Sequence, residues 1–217
     1  RIGDGVSNVC YNYMDEKTGV LGTRFGLVDE ERKVNINKAS QVVLERFLRI
    51  TANLDEMEAQ ELAASIVDWR DADSGLSIPL GSAEDSYYRN AQYPYEAKDA
   101  EFEVLDEALL VKEMTKDIFE RIKNYITIYG DGKVNINTTS KSVLLALGMN
   151  EDMADKIMTL LYGKDDIRGN ADDIIFDTPG NIVPKISQSY NLSYSEIASL
   201  SAIVDQNLAT KANFFSI

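Results

Sequence analysis

Apolar and polar residues change their spacing several times along this chain, and those changes outline its elements. Val9, Tyr11 and Tyr13 alternate with polar neighbours, and Thr23-Arg24-Phe25-Gly26-Leu27 offers a second alternation. Period two marks half-buried strands, so antiparallel strands are expected before residue 37, with Lys17-Thr18-Gly19 and Asp29-Glu30-Glu31-Arg32 as the turns between them. From Ser40 the period turns helical. Val42, Val43, Phe47 and Leu48 line one short helix; Leu62, Ile66 and Trp69 line a second, running from near Asp55 to near Arg70. Helices are expected again from Phe102, with Leu105, Leu109 and Met114 on one side, and after Thr115.

The stretch Lys33-Val34-Asn35-Ile36-Asn37, followed by Ser40 and Val43-Leu44, returns as Lys133-Val134-Asn135-Ile136-Asn137, followed by Ser140 and Val143-Leu144. A constant offset of this kind points to a paired structural unit. Each copy reads as a short strand handing over to a helix whose first-turn N–H groups the serine caps, with the asparagines as turn and capping residues. Ile126-Thr127-Ile128-Tyr129, then Gly130-Asp131-Gly132, then the second copy reads as strand, tight turn, strand. Helices follow over 142–147 and 152–162, and the polar loop 163–180 has Ile174-Ile175-Phe176 as its apolar anchor. Ser193-Tyr194-Ser195-Glu196 forms a capping box for a helix to about Gln206, and Asn213 to Ile217 reads as an incoming strand.

Composition narrows the chemistry. With 36 acidic against 22 basic residues the formal charge is −14, which repels polyanions and anionic lipid and favours hard cations. There is no histidine, which excludes histidine acid–base catalysis, serine–histidine triads and histidine-ligated zinc. The single cysteine, Cys10, cannot close an internal disulfide and reads as a buried, inert thiol. No apolar run reaches the roughly 20 residues of a membrane span. The chain opens on Arg1 and carries no signal-peptide pattern, as expected of a fragment.

One constellation stands out as a candidate metal site. Asp68, Asp71 and Asp73 crowd the end of the second helix, and Glu84 with Asp85 returns after Gly75, Pro79 and Gly81. Carboxylates this dense repel one another unless a cation or solvent intervenes, and calcium takes six to eight oxygen ligands. The spacing is not that of an EF-hand, because the glycine falls one place early. A second acidic group, Asp165, Asp166, Asp172, Asp173 and Asp177, has no recognisable ligand spacing and reads as a solvated surface. No phosphate loop or nucleophile elbow is present.

These residues also carry a family resemblance. Asp29-Glu30 before the first repeat, Ile66-Val67-Asp68-Trp69-Arg70-Asp71-Ala72-Asp73, Gly81-Ser82-Ala83-Glu84-Asp85-Ser86-Tyr87-Tyr88, Pro94-Tyr95 and Phe102 to Val111 follow in order, then Met114-Thr115 and Tyr129-Gly130-Asp131-Gly132. Together they resemble the K-type minor pseudopilin of bacterial type II secretion systems. The resemblance implies an α+β fold: a pilin-like α/β domain with an antiparallel sheet (1–37 and 126–217) and a large inserted all-helical domain (38–125). It implies a non-enzymatic structural protein at the tip of the periplasmic pseudopilus, acting in export of folded proteins across the outer membrane. Partners would be the I-type and J-type minor pseudopilins, with no nucleic acid, and an N-terminal helix before Arg1 would anchor the protein in the inner membrane. Calcium is implied in the insert, which makes Asp68, Asp71, Asp73, Glu84 and Asp85 the candidate ligands.

A competing resemblance is to helix-hairpin-helix DNA-binding proteins of DNA uptake. Those need a glycine hairpin whose N–H groups meet phosphate, among basic residues. Here Asn53-Leu54-Asp55-Glu56 and Gly148-Met149-Asn150-Glu151 place acids where lysines are required.

Overall fold

The computed structural model describes residues 8–14, 20–168 and 170–217. The turn expected at Lys17 to Gly19 lies outside these residues. Strands β1 (Cys10–Met14) and β2 (Leu21–Phe25) form an antiparallel ladder, Tyr11 facing Arg24. Cys10, expected to be buried, is exposed on this ladder. Strand β3 (Val28–Asp29) pairs antiparallel with β8 (Phe215–Ser216), so the incoming terminal strand is found.

Two units of the same build follow. The first opens with β4 (Val34–Asn35), continues through α1 (Gln41–Thr51), α2 (Glu56–Arg70), α3 (Asp85–Tyr88) and α4 (Lys116–Ile122), and returns on β5 (Ile126–Thr127). The second opens with β6 (Val134–Asn135), continues through α5 (Lys141–Ala146), α6 (Glu151–Tyr162), α7 (Ile182–Ser189) and α8 (Tyr194–Asn207), and returns on β7 (Leu208–Ala209). In each unit the opening and return strands pair in parallel, Val34 with Ile126 and Val134 with Leu208. The strand–turn–strand hairpin expected over 126–137 is therefore absent: β5 and β6 adjoin in sequence but each takes its partner from its own unit. Positive φ at Gly130 (90°) and Gly132 (95°) turns the chain from one unit into the next.

The same side-chain devices close both units. Asn35 Oδ1 accepts the Asn37 N–H at 2.8 Å and Asn135 Oδ1 accepts the Asn137 N–H at 3.1 Å, folding the chain from strand toward helix. The Arg70 guanidinium donates to the carbonyls of Ile36 and Ala39, and that of Arg168 donates to the carbonyls of Asn137 and Thr139. Helices α1 and α2 turn about Asn53 (φ 54°), α5 and α6 about Gly148 (φ 98°). This hairpin shape accounts for the helix-hairpin-helix resemblance, but the helices that leave it start on Glu56 and Glu151.

Ser40, Ser140 and Ser193 cap their helices as expected, and Asp55 and Thr115 cap the helices expected to start beside them. The helix expected from Phe102 is instead a 3-10 turn over Leu105–Leu110 with Leu109 exposed, and Val42 faces solvent. One contiguous apolar core joins the units: Phe47, Leu48 and Leu62 of the first and Leu144, Ile157 and Phe176 of the second belong to the same buried cluster, with α1 packed on α5. A three-residue acidic turn ties the strands to this body. Asp29 accepts from Asn135 Nδ2 (2.8 Å), Glu30 from Lys33, Thr127 and Ser216 (2.6–2.7 Å), and Glu31 from the Asn213 N–H.

Candidate metal centre

The end of α2 and the loop that follows bring the acidic residues together. Helix α2 stops at Arg70, and the extended conformation of Asp71 (ψ 169°) throws the chain outward. The loop returns so that Glu84, just before α3, faces the helix end. The carboxylates of Asp71, Asp73 and Glu84 lie within 4.8 Å of one another. Asp71 is half-buried, Asp73 exposed, and Glu84 only 4% exposed.

The other two candidates are engaged elsewhere. Asp68 is fully buried and accepts the Ser77 N–H at 3.1 and 3.2 Å, tying the loop's far side to α2. Asp85 accepts the Ala97 N–H at 2.9 Å and an Arg89 guanidinium N–H at 2.7 Å. A further acid, Asp99, adds its charge to the cluster, and its own N–H is held by the Trp69 carbonyl at 3.1 Å. Nothing in the spacing of Asp99 marked it, since it lies fifteen positions past Glu84; its left-handed backbone (φ 52°) is visible only in the fold.

The electrostatics describe a site short of positive charge. Burial pushes the Glu84 carboxyl up to about 7, and the charges of Asp68, Asp71, Asp99 and Asp73 add to the shift. Burial also raises Asp71, reinforced by Asp73 and Asp68. Among the described residues, Asp71 Oδ1 and Glu84 Oε1 are buried with no hydrogen-bond partner. A buried carboxylate oxygen without a donor carries its full desolvation penalty, which a hard cation would relieve. An all-oxygen, all-anionic donor set with two such oxygens fits calcium and does not fit a soft metal.

Behind the loop, Trp69 meets Tyr88 edge-on at 5.1 Å and stacks near Phe102, so the acidic rim sits on a rigid aromatic floor.

Fold and site together define an α+β protein of two like helical units, with an oxygen-lined acidic loop on the first. Residues 24–131 match the family model of the type II secretion system (T2SS), protein K. The type II secretion system protein K of Aeromonas hydrophila is 30% identical over 114 residues, covering 49% of this chain and 34% of that protein. Among solved structures, a chain of the GspK-GspI-GspJ complex from the enterotoxigenic Escherichia coli type 2 secretion system shares the fold with a TM-score of 0.63 at 18% identity. That match covers 87% of this chain and 65% of the other. Through residues 24–131, this chain belongs to the type II secretion system protein K family. It spans about a third of the length of its curated relative.

Proposed function

We propose that this chain forms the helical body of a structural minor pseudopilin, which sits at the tip of the type II secretion pseudopilus and serves export of folded proteins across the outer membrane. It is not an enzyme. The match of residues 24–131 to the protein K family carries this reading, and the shared fold over 87% of the chain supports it. The partners are I-type and J-type minor pseudopilins, by analogy with the complex that contains the structural relative. The chain occupies the periplasm, anchored to the inner membrane through a helix before Arg1. Residues 38–125 belong to an insert in a pilin-like domain; the second unit repeats the build of the first and shares its core, which supports counting it with the insert.

Calcium stabilises the loop after α2. Asp71, Asp73 and Glu84 hold the ion, Asp68 and Asp85 position the loop around it, and the ion supplies charge compensation rather than chemistry. Co-purification of the full-length protein with its I-type and J-type partners tests the assembly role. A complex that forms without this protein and excludes it when all three are mixed would sink the proposal.

A further inference from the structure

The loop that carries the acidic cluster also holds an outlier. Leu80 is 95% exposed at φ 65°, in the left-handed region that a leucine avoids. Several bonds force it there. The N–H groups of Gly81 and Ser82 both reach the Ile78 carbonyl at 3.0 Å, and Ser82 Oγ accepts the Ile78 N–H at 3.0 Å. From across the fold, the Lys112 ammonium donates to the Gly81 carbonyl at 2.8 Å and reaches the Leu80 carbonyl at 3.5 Å. The same ammonium lies 5.4 Å from the centre of the Tyr87 ring, which places half-exposed Tyr87 beside the turn. Leu109 and Leu110, just before Lys112 in sequence, are also exposed.

A backbone held against its preference so that an apolar side chain points into water is a cost without a return inside the fold; such outliers gather at contact sites. The rim of the patch is acidic. Glu61 lies against Gly81, exposed Glu113 follows Lys112, and Lys112 itself is turned onto carbonyl oxygens. A second copy of this chain would bring the same acidic rim, and an anionic membrane would bring more negative charge, so both are repelled.

We propose that Leu80 and neighbouring Tyr87 form a docking anchor for a partner protein whose contact surface offers an apolar socket within a basic rim. The proposal goes beyond the assembly with the I-type and J-type proteins, and only its secretion readout rests on the proposed function. Two full-length variants test it in a strain lacking the native protein. Glycine adopts the left-handed conformation without strain, so Leu80→Gly removes the anchor while keeping the turn. Its melting midpoint should stay within about 2 °C of the parental value or exceed it, while affinity for the partner falls about tenfold, as expected for loss of one apolar anchor, and secretion falls with it. Leu80→p-benzoylphenylalanine, irradiated in the same cells, should join to a segment in which lysines or arginines flank apolar residues, identified by mass spectrometry. The photo-adduct reads the anchor whether or not secretion is restored, so a failure of the proposed function is distinguishable. A lower midpoint for Leu80→Gly with secretion unchanged, an adduct with a second copy, or an adduct with an acidic segment overturns the proposal.

Discussion

Asn37 grips both backbone groups of Phe102, donating from Nδ2 to its carbonyl at 3.0 Å and accepting its N–H on Oδ1 at 2.8 Å, across 65 residues of chain. Asn137 holds Phe176 in the same way, at 2.9 and 2.8 Å. A side-chain amide offers a donor and an acceptor at the spacing of one peptide group, so in each unit the asparagine substitutes for a missing strand neighbour. Asn37→Ala leaves a buried N–H and a buried carbonyl without partners and should lower the unfolding free energy by about 2–3 kcal/mol. Asn37→Asp keeps the acceptor but sets a buried carboxylate oxygen against the Phe102 carbonyl, so it should cost at least as much as the alanine variant. Urea titrations of the three proteins check the order; an alanine variant as stable as the parent would remove the clasp from the list of structural determinants.

The arginines that back these clasps define a second test. Arg70 holds two carbonyls of the first turn with one planar group, which a lysine cannot reproduce. Arg70→Lys should cost about 1–2 kcal/mol through a strained or water-mediated replacement. Because Arg168 makes its bonds within the other unit, the double variant Arg70→Lys, Arg168→Lys should show the sum of the two single losses, to within about 0.5 kcal/mol. A coupling well above that would mean the two turns report on one shared strain rather than on two local locks.

Glu30 ties the terminal strand to the body and predicts the response to acid. Burial raises this carboxyl, but the ammonium of Lys33 and the hydroxyls of Ser216 and Thr127 outweigh it, so the group lies below its ordinary 4.5. A carboxyl whose folded value is depressed binds its proton more readily when unfolded. Its contribution is complete above pH 4.5 and is lost as the pH falls from there through the lowered folded value. Parental stability should therefore decline more steeply below pH 4.5 than that of Glu30→Gln, and hydrogen exchange at Phe215 and Ser216 should accelerate over the same interval in the parent. Parallel acid profiles for the two proteins would deny the carboxylate this role.

Much of the fold was legible because its local signals are strong. Ser40, Asp55, Thr115 and Ser193 were each found where an apolar helical period begins, and capping is decided within four residues. Phe176 was recognisable as the anchor of its loop and is fully buried. What escaped was decided at a distance. Ile126 to Val134 looks like a hairpin locally, yet the hydrogen bonds of β5 are with Val34 and those of β6 with Leu208, partners that no local pattern names. Helix α7 lacks a strong local start signal, since Asn181 makes no side-chain cap, and Pro184 in the first turn of Ile182–Ser189 removes only an N–H that has no helical partner. The face Leu105, Leu109, Met114 fits a helix, but the backbone winds as a 3-10 turn only to Leu110 and is extended at Val111 (ψ 139°), before the left-handed Glu113 (φ 65°). In the acidic loop, sequence placed five carboxylates near one another without separating the three that converge from the two that brace the loop, because that depends on where Ser77, Arg89 and Ala97 stand.

Calcium gives the sharpest test of that loop. If Asp71, Asp73 and Glu84 hold the ion, calcium at a hundredfold excess over its dissociation constant should stabilise the fold by about 2.7 kcal/mol, and a chelator should abolish the gain. Glu84, raised to about 7, must give up its proton to bind, so the apparent affinity should fall as the pH drops below 7, by at most about tenfold per unit. Glu84→Gln separates charge from packing. Without calcium it should melt no lower than the parent, since the neighbouring Asp68, Asp71, Asp99 and Asp73 no longer face a fifth charge; with calcium most of the gain should vanish. Asp85→Asn should instead keep the calcium response and lose at most about 1 kcal/mol, because its partners are Arg89 and the Ala97 N–H. Calorimetric melts of the three proteins with and without chelator decide the matter. A parental midpoint indifferent to calcium, or a response that survives in Glu84→Gln and disappears in Asp85→Asn, would move the site away from the three converging carboxylates.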